Sequence, residues 1–312
     1  MRKRTLGKTG LSVSVLGFGG GPLGGFYGGF EENESIRALH LAIDRGVNLV
    51  DTSPYYGGGK SEEILGRGLA GGWRQKVVLA TKCGRIAKDQ FDFSARFIKE
   101  SCETSLRLLQ TDHVDILQAH DIEFEPNEAM VFDETLKALE DLKRQGKCRF
   151  IGMTCYPIGM LARAIEACPL DVVISYCHAT LLDQSMQETL IPLAERRGTG
   201  IINASAMSMG LLTMAGPQDW HPAPAEVKVA CRQAAEVCQR HGADLAQLAM
   251  QFPLLDERIA TTLVGMKTVS EVESNLEAEA SRPDPLLLAE VLQVLAPVKN
   301  RCWDSGLWKA EA

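Results

Sequence analysis

The sequence predicts an α/β protein, a closed (β/α)8 TIM barrel with a short N-terminal β-hairpin. Three observations carry that reading. Short apolar runs alternate strictly with amphipathic segments, a pattern of parallel strands joined by crossover helices. Eight such units follow a polar N-terminal stretch within 312 residues, the count and length of a closed barrel rather than an open sheet. No stretch rich in Pro, Gly or Ser interrupts the rhythm, so residues 1–312 read as one domain.

The elements follow in order. RKRTLGKTGLS at the start has hairpin character, and VSVLGFG (13–19) is the first barrel strand because it is apolar and ends in glycine. Residues 34–46 place apolar side chains at helical spacing and close on Gly46. VNLVD (47–51), KVVLATK (76–82), HVDILQAH (113–120) and CRFIGMT (148–154) are strands, as are DVVISYC, GIINASA and ATTLVG (260–265). Helices fill the gaps at 61–69, 94–110, 127–146, IGMLARAIEAC, MQETLIPLAERRG, 226–241 and 245–252. SEVESNLEAEA and LLLAEVLQVLAPV close the chain as two more.

Composition excludes several classes. The net charge is −7, and Arg2, Lys3 and Arg4 are the sole basic cluster. Neither nucleic acid nor an anionic membrane is therefore expected as a partner. No apolar run reaches the roughly 18 residues of a membrane span, and the first residues lack a secretory core. Nine cysteines without a Cys-x-x-Cys pair argue against a disulfide framework or a metal site, and for free thiols in a cytoplasmic protein. Two glycine motifs mislead. GKTG lacks the earlier Gly of a P-loop, Arg2 standing in its place. GGGPLG (19–24) matches a dinucleotide fingerprint, but Pro22, Gly28 and Gly29 intervene before any helix.

A parallel barrel carries its site at the C-terminal ends of its strands. Three successive strands end in Asp51, Lys82 and His120, and the loop after Asp51 carries Tyr55 and Tyr56. An acid, an amine, an imidazole and a phenol thus converge on one face. A lysine ammonium close to a phenol stabilises the phenolate, an aspartate holds the lysine, and the histidine orients a substrate oxygen. This chemistry is proton transfer at a carbonyl or alcohol carbon, with a separate electron carrier.

These residues and the stretches GVNLVDTSPYYGGGKSEEILGRGL, VLATKCG, VDILQAHDIE and GKCRFIGMT resemble the aldo-keto reductase superfamily over essentially the whole chain. The resemblance implies a (β/α)8 barrel, an extended nicotinamide cofactor and a tetrad of Asp51, Tyr56, Lys82 and His120, with Tyr55 as a pocket wall. DTSPYYGG, ATKCGR, FDFSA, HDIEF, SYCH, WHPA, PVKN and W-x-S-G are similar to the aldose 1-dehydrogenases of that family. These oxidise C1 of a free sugar of the L-galactose or L-fucose type to its lactone, passing hydride to NAD. Tyr56 then takes the C1 hydroxyl proton and needs phenolate character, which Lys82 should supply.

By the same resemblance Thr154, with Cys155, and Ser175 face the nicotinamide, while Ala204 stands where an aromatic usually stacks. Ser205 faces the pyrophosphate, and Gly210 and Leu212 line the cofactor. Gly265, Lys267, Glu271 and Asn275 hold the adenosine end. Glu271 stands where NADP-preferring relatives have an arginine, which implies NAD, although Lys267 leaves NADP possible. A small sugar is the implied partner, read by Tyr55, Asp121 and His178, with Phe26, Tyr27, Glu123 and Trp220 as further loop residues. Two other functions compete: an NADPH-dependent reductase of aldehydes or ketones with the same tetrad and different loops, and a non-catalytic cofactor sensor, against which the intact tetrad argues. Cys83 and Cys155 lie close enough for thiol oxidation to inhibit.

Overall fold

The computed structural model describes residues 1–25 and 28–310. Eight parallel strands close into a barrel in chain order: β1 Leu16–Gly19, β2 Leu49–Asp51, β3 Val78–Cys83, β4 Val114–Ala119, β5 Cys148–Cys155, β6 Val172–Tyr176, β7 Gly200–Ala204 and β8 Thr261–Gly265. Alternation along each strand sorts the side chains. Leu49, Val78, Ala80, Ile116, Val172, Ile174, Ile202 and Leu263 fill the barrel, and Leu79, Leu117, Ile151, Val173, Ile201 and Val264 face the helices.

The surrounding helices are α1 Glu32–Asp44, α2 Lys60–Gly68, α3 Ala95–Leu108, α4 Leu136–Arg144, α5 Ile158–Ala167, α6 Ile191–Arg197, α7 Ala225–Arg240, α8 Leu245–Leu254, α9 Val269–Ala280 and α10 Pro285–Leu295. Their starts are written locally. Ser94 accepts from the Phe97 N–H, and Asp244 accepts from Ala246 and Gln247. Thr268 and Glu271 make a capping box at α9. Single turns of π-helix, Met130–Thr135 and Met186–Leu190, lead into α4 and α6.

The expected hairpin is present, Lys3–Thr5 pairing antiparallel with Ser12–Ser14. It plugs the N-terminal end of the barrel, where Leu6, Leu11 and Val13 join the interior cluster. Gly7 at the tip has φ +50, and a Cβ there would stand 2.3 Å from the Gly200 nitrogen, so the tip has to be glycine. The run read as one strand over 13–19 is split. The Ser14 hydroxyl donates to the Leu16 carbonyl at 2.6 Å, which turns the chain between hairpin and barrel.

Two features at the C-terminal rim lack a sequence signal. A second hairpin pairs Arg85–Ala87 with Gln90–Phe91; its strands are too short and charged to show alternation. A C-terminal arm, residues 299–310, crosses the loops after β4, β5 and β6. Trp303 stacks on Tyr156 at 5.4 Å, Ser305 donates to Glu123 at 2.9 Å, and Asn300 accepts from the Gln184 N–H.

Candidate active site

Strand register sets the site. Asp51 pairs with Gly19 and Ala80, and Lys82 pairs with Gln118. The His120 N–H donates to the Cys83 carbonyl at 2.9 Å, carrying the ladder one residue past β4. Alternation aims Asp51, Lys82 and His120 inward above the apolar barrel core. The turn through residues 53–56, closed by the Tyr56 N–H on the Ser53 carbonyl, folds Tyr56 back over them. Gly21–Gly24 lies directly on that turn: a Cβ on Gly24 would stand 2.5 Å from the Tyr56 carbonyl carbon.

The Lys82 ammonium makes three bonds within the protein. It donates to Asp51 Oδ1 at 2.5 Å, to the Thr52 carbonyl at 2.8 Å and to the Tyr56 hydroxyl at 3.4 Å. Burial works to discharge it, but Asp51 and Tyr56 outweigh burial and raise its pKa. Burial raises Asp51 while Lys82 pulls it back. Burial also lifts the Tyr56 phenol above its usual value, against the pull of Lys82. Tyr56 therefore rests as a phenol at neutral pH. Full desolvation outweighs one ammonium whose charge Asp51 already balances.

His120 is driven down to about 3 by burial, with Asp121 opposing and Lys82 and Arg85 adding to the fall, so it is neutral. Its Nδ1 meets the Ser53 hydroxyl at 2.9 Å, and its ring stands edge-on to Tyr56 at 5.9 Å. Asp121 is buried. Burial alone would raise its pKa, but the Arg85 guanidinium beside it holds it below the usual carboxylate range. It is ion-paired with Arg85, and its N–H and Oδ1 bond the Thr154 hydroxyl at 2.9 and 3.2 Å. The Arg85 guanidinium lies 3.7 Å over the Tyr55 ring.

The remaining predicted residues separate into groups. Ser205, at φ 56, and Gly210, at φ 102, are left-handed at the rim beyond β7. Leu212 is fully buried in a second apolar cluster, so its side chain packs rather than lines. Ser175 is buried in register with Cys155 and Asn203, on the helix-facing side of β6 by alternation from Val173. Gly265 lies against Pro22. Lys267 donates to the Gly29 carbonyl, and Asn275 donates to the Glu271 carbonyl. Glu271 Oε2 accepts from the Lys267 and Thr268 N–H groups, so its first duty is capping α9.

His178 is buried, with Nδ1 at 3.1 Å from Ser185 and 3.3 Å from Asp183; Cys302 donates to the same Asp183 carboxylate. Glu123 accepts from Tyr176, Ser305 and the Tyr156 N–H. Burial and then Asp121 push it up to about 7. Trp220 is 54% exposed and stacks on His221. Phe26 and Tyr27 lie outside the described residues. Cys83 and Cys155 are fully buried, and burial holds both thiols well above their usual pKa. This overturns their expected reactivity, since a desolvated thiol resists becoming thiolate. Arg85 and Ser53 escaped the strand-end reading because it weighed one residue per strand, and these stand two or three residues beyond.

The chain, with this barrel and this rim, matches a known family. Residues 15–285 fit the Aldo/keto reductase family, and the chain belongs to it, an oxidoreductase served by a nicotinamide cofactor. An L-galactose dehydrogenase of Arabidopsis thaliana is 44% identical over 97% of both chains. A D-arabinose 1-dehydrogenase of Saccharomyces cerevisiae is 34% identical over 95% of both. Among solved structures, an aldo-keto reductase from Bacillus halodurans in its holo form superposes with a TM-score of 0.79 at 26% identity. That match covers 99% of this chain and 100% of that one. Among the described residues no helix is long and apolar enough to cross a membrane.

Proposed function

We propose that residues 1–312 form one catalytic domain that oxidises C1 of a free aldose of the L-galactose or L-fucose type to its lactone, with NAD. The observation that carries it is the Lys82 ammonium held 3.4 Å from the Tyr56 hydroxyl beside a neutral His120. Likeness to two sugar dehydrogenases supports the substrate class. So does the polar rim of Arg85, Asp121 and Tyr55, which offers donors and acceptors suited to sugar hydroxyls.

In this mechanism His120 and Tyr56 hold the C1 hydroxyl. Tyr56, as phenolate, takes the hydroxyl proton while C1 loses hydride. Lys82 stabilises the phenolate, and Asp51 keeps Lys82 charged and aimed. The nicotinamide ring, when bound, supplies the hydride acceptor. The rim suits such a cofactor: the Ser208 hydroxyl is buried without a protein partner, and Ser205 and Ser208–Gly210 form a left-handed cradle.

The preference for NAD rests on α9. Glu34 already accepts from the Val269 N–H, and Glu271 accepts from the Lys267 and Thr268 N–H groups. Two carboxylates thus occupy the helix end where a 2′-phosphate would otherwise be drawn. A free 2′-hydroxyl meets no such repulsion.

A second reading, reduction of aldehydes with NADPH, draws on Tyr56 resting as a phenol, ready to give a proton. The deciding assay follows absorbance at 340 nm with NAD or NADP and L-galactose, L-fucose, D-arabinose or L-glucose. NAD reduction by one or more sugars is expected. No sugar turnover, with NADPH consumed by simple aldehydes, would replace the proposal with the reductase. Tyr56→Phe should abolish turnover and leave NADH binding intact; surviving turnover would remove Tyr56 from the chemistry.

A further inference from the structure

We infer that Ser53 and Arg85 are positioning residues that fix His120 as an Nε2–H donor to the substrate oxygen. The inference rests on the reading of His120 as the group facing that oxygen. Neither residue belongs to the four-residue constellation at the strand ends, and each acts on a different side of the imidazole.

Ser53 acts at Nδ1. Its side-chain oxygen is fully buried, lies 2.9 Å from His120 Nδ1 and accepts the Tyr55 N–H at 3.1 Å. A hydroxyl has one proton to give. No other acceptor for the Ser53 proton exists among the described residues, so it points at Nδ1. A neutral imidazole that accepts at Nδ1 carries its own proton on Nε2. The opposite tautomer would leave a buried O–H without an acceptor, which is unfavourable.

Arg85 acts near Nε2. Asp121 Oδ2 lies 3.6 Å from Nε2, just beyond hydrogen-bond reach, and the Arg85 guanidinium is ion-paired to that same oxygen. Thr154 occupies Oδ1. Arg85 is held by the Tyr55 ring at 3.7 Å, with Phe91 and Phe124 at 5.4 and 5.2 Å. Without Arg85, the Asp121 carboxylate would compete for Nε2–H and draw a second proton onto the ring. The charged or titratable groups around His120 are Lys82 and Arg85 from β3 and its loop, Tyr55 and Tyr56 from the β2 loop, and Asp121 beside it. Arg85 and Lys82 both disfavour the imidazolium, and Asp121 favours it. Removing Arg85 therefore shifts the balance toward the charged ring.

The test combines a tautomer measurement with kinetics. In 15N-histidine NMR spectra, with His120 assigned by its loss in His120→Asn, the wild type should show the Nε2–H tautomer throughout pH 6–8. Ser53→Ala should give mixed tautomers and a kcat about 5- to 10-fold lower, the worth of one hydrogen bond, with KM changed less than twofold. Ser53→Thr should restore both. Arg85→Met should shift the His120 Nε2 resonance as Asp121 engages it, and should move the His120 ionisation upward from its wild-type position. An Nδ1–H tautomer in the wild type, or unchanged His120 signals in Ser53→Ala and Arg85→Met, would overturn the inference. The spectra need no turnover, so failure of the sugar reading would show separately, as absent NAD reduction beside the expected tautomer.

Discussion

Replacing Lys82 with methionine isolates the electrostatic link on which the proposed mechanism of oxidation depends. The ammonium lies 3.4 Å from the Tyr56 oxygen. At an effective dielectric constant near 20, that separation is worth roughly 5 kcal/mol to the phenolate, and Asp51, on the same ammonium, cancels part of it. A net loss of about 3–4 kcal/mol corresponds to a rise of about 2–3 units in the Tyr56 pKa. Because burial already holds that pKa above its usual value, pH 7 lies below it in both proteins. The phenolate fraction, and with it kcat/KM for sugar oxidation, should fall about 100- to 1000-fold. The assay is the logarithm of kcat/KM against pH from 6 to 9.5, at saturating NAD. Wild type and Lys82→Met should give two lines of slope one, displaced by two to three logarithmic units, with quenching of protein fluorescence by NADH confirming that the variant binds. A flat wild-type profile, or a displacement under tenfold, would refute the coupling between Lys82 and Tyr56.

Two further predictions follow from other buried or capping acids. Glu271→Arg removes one carboxylate from the α9 end and adds a phosphate-binding guanidinium. The ratio of kcat/KM with NADP to that with NAD should rise at least tenfold, and an unchanged ratio would count against the proposed basis of NAD preference. Burial pushes the Glu123 pKa up to about 7 from an ordinary 4.5. Between those pH values the unfolded chain gives up a proton that the folded chain keeps. Stability therefore falls as pH rises across that window, by up to roughly 3 kcal/mol. Glu123→Gln should flatten the decline of Tm between pH 5 and 7, and an equally steep decline would show that Glu123 does not cause it.

The barrel was legible because each strand and helix declares itself over a short window. Glycine-ended apolar runs and helix-spaced apolar positions are local signals, and strict alternation leaves few topologies. Alternation also brings Asp51, Lys82 and His120 to one rim. What the sequence hides is whatever depends on loops meeting other loops. Arg85 sits on strands too short to alternate, and its contacts with Tyr55, Asp121, Phe91 and Phe124 come from three separate segments. Nor does any local pattern place Ser305 beside Glu123, 182 positions apart.

Burial is the other hidden quantity, and it changes the chemistry. A list of neighbours puts an ammonium beside a phenol and suggests a phenolate. The folded site adds desolvation, which acts on Tyr56, Lys82, Asp51 and His120 alike. Desolvation disfavours every charged form, so a charge survives only where a partner is aimed at it. Lys82 keeps its charge through three bonds. His120 has a hydroxyl on one nitrogen and no bonded carboxylate on the other, and stays neutral. Tyr56 stands between these cases, its hydroxyl 3.4 Å from the Lys82 ammonium. It is a phenol at rest, yet it stands beside the ammonium that stabilises it once its proton leaves. On the proposed mechanism one site can therefore serve as proton donor or proton acceptor, and pH and the substrate bound would decide the direction.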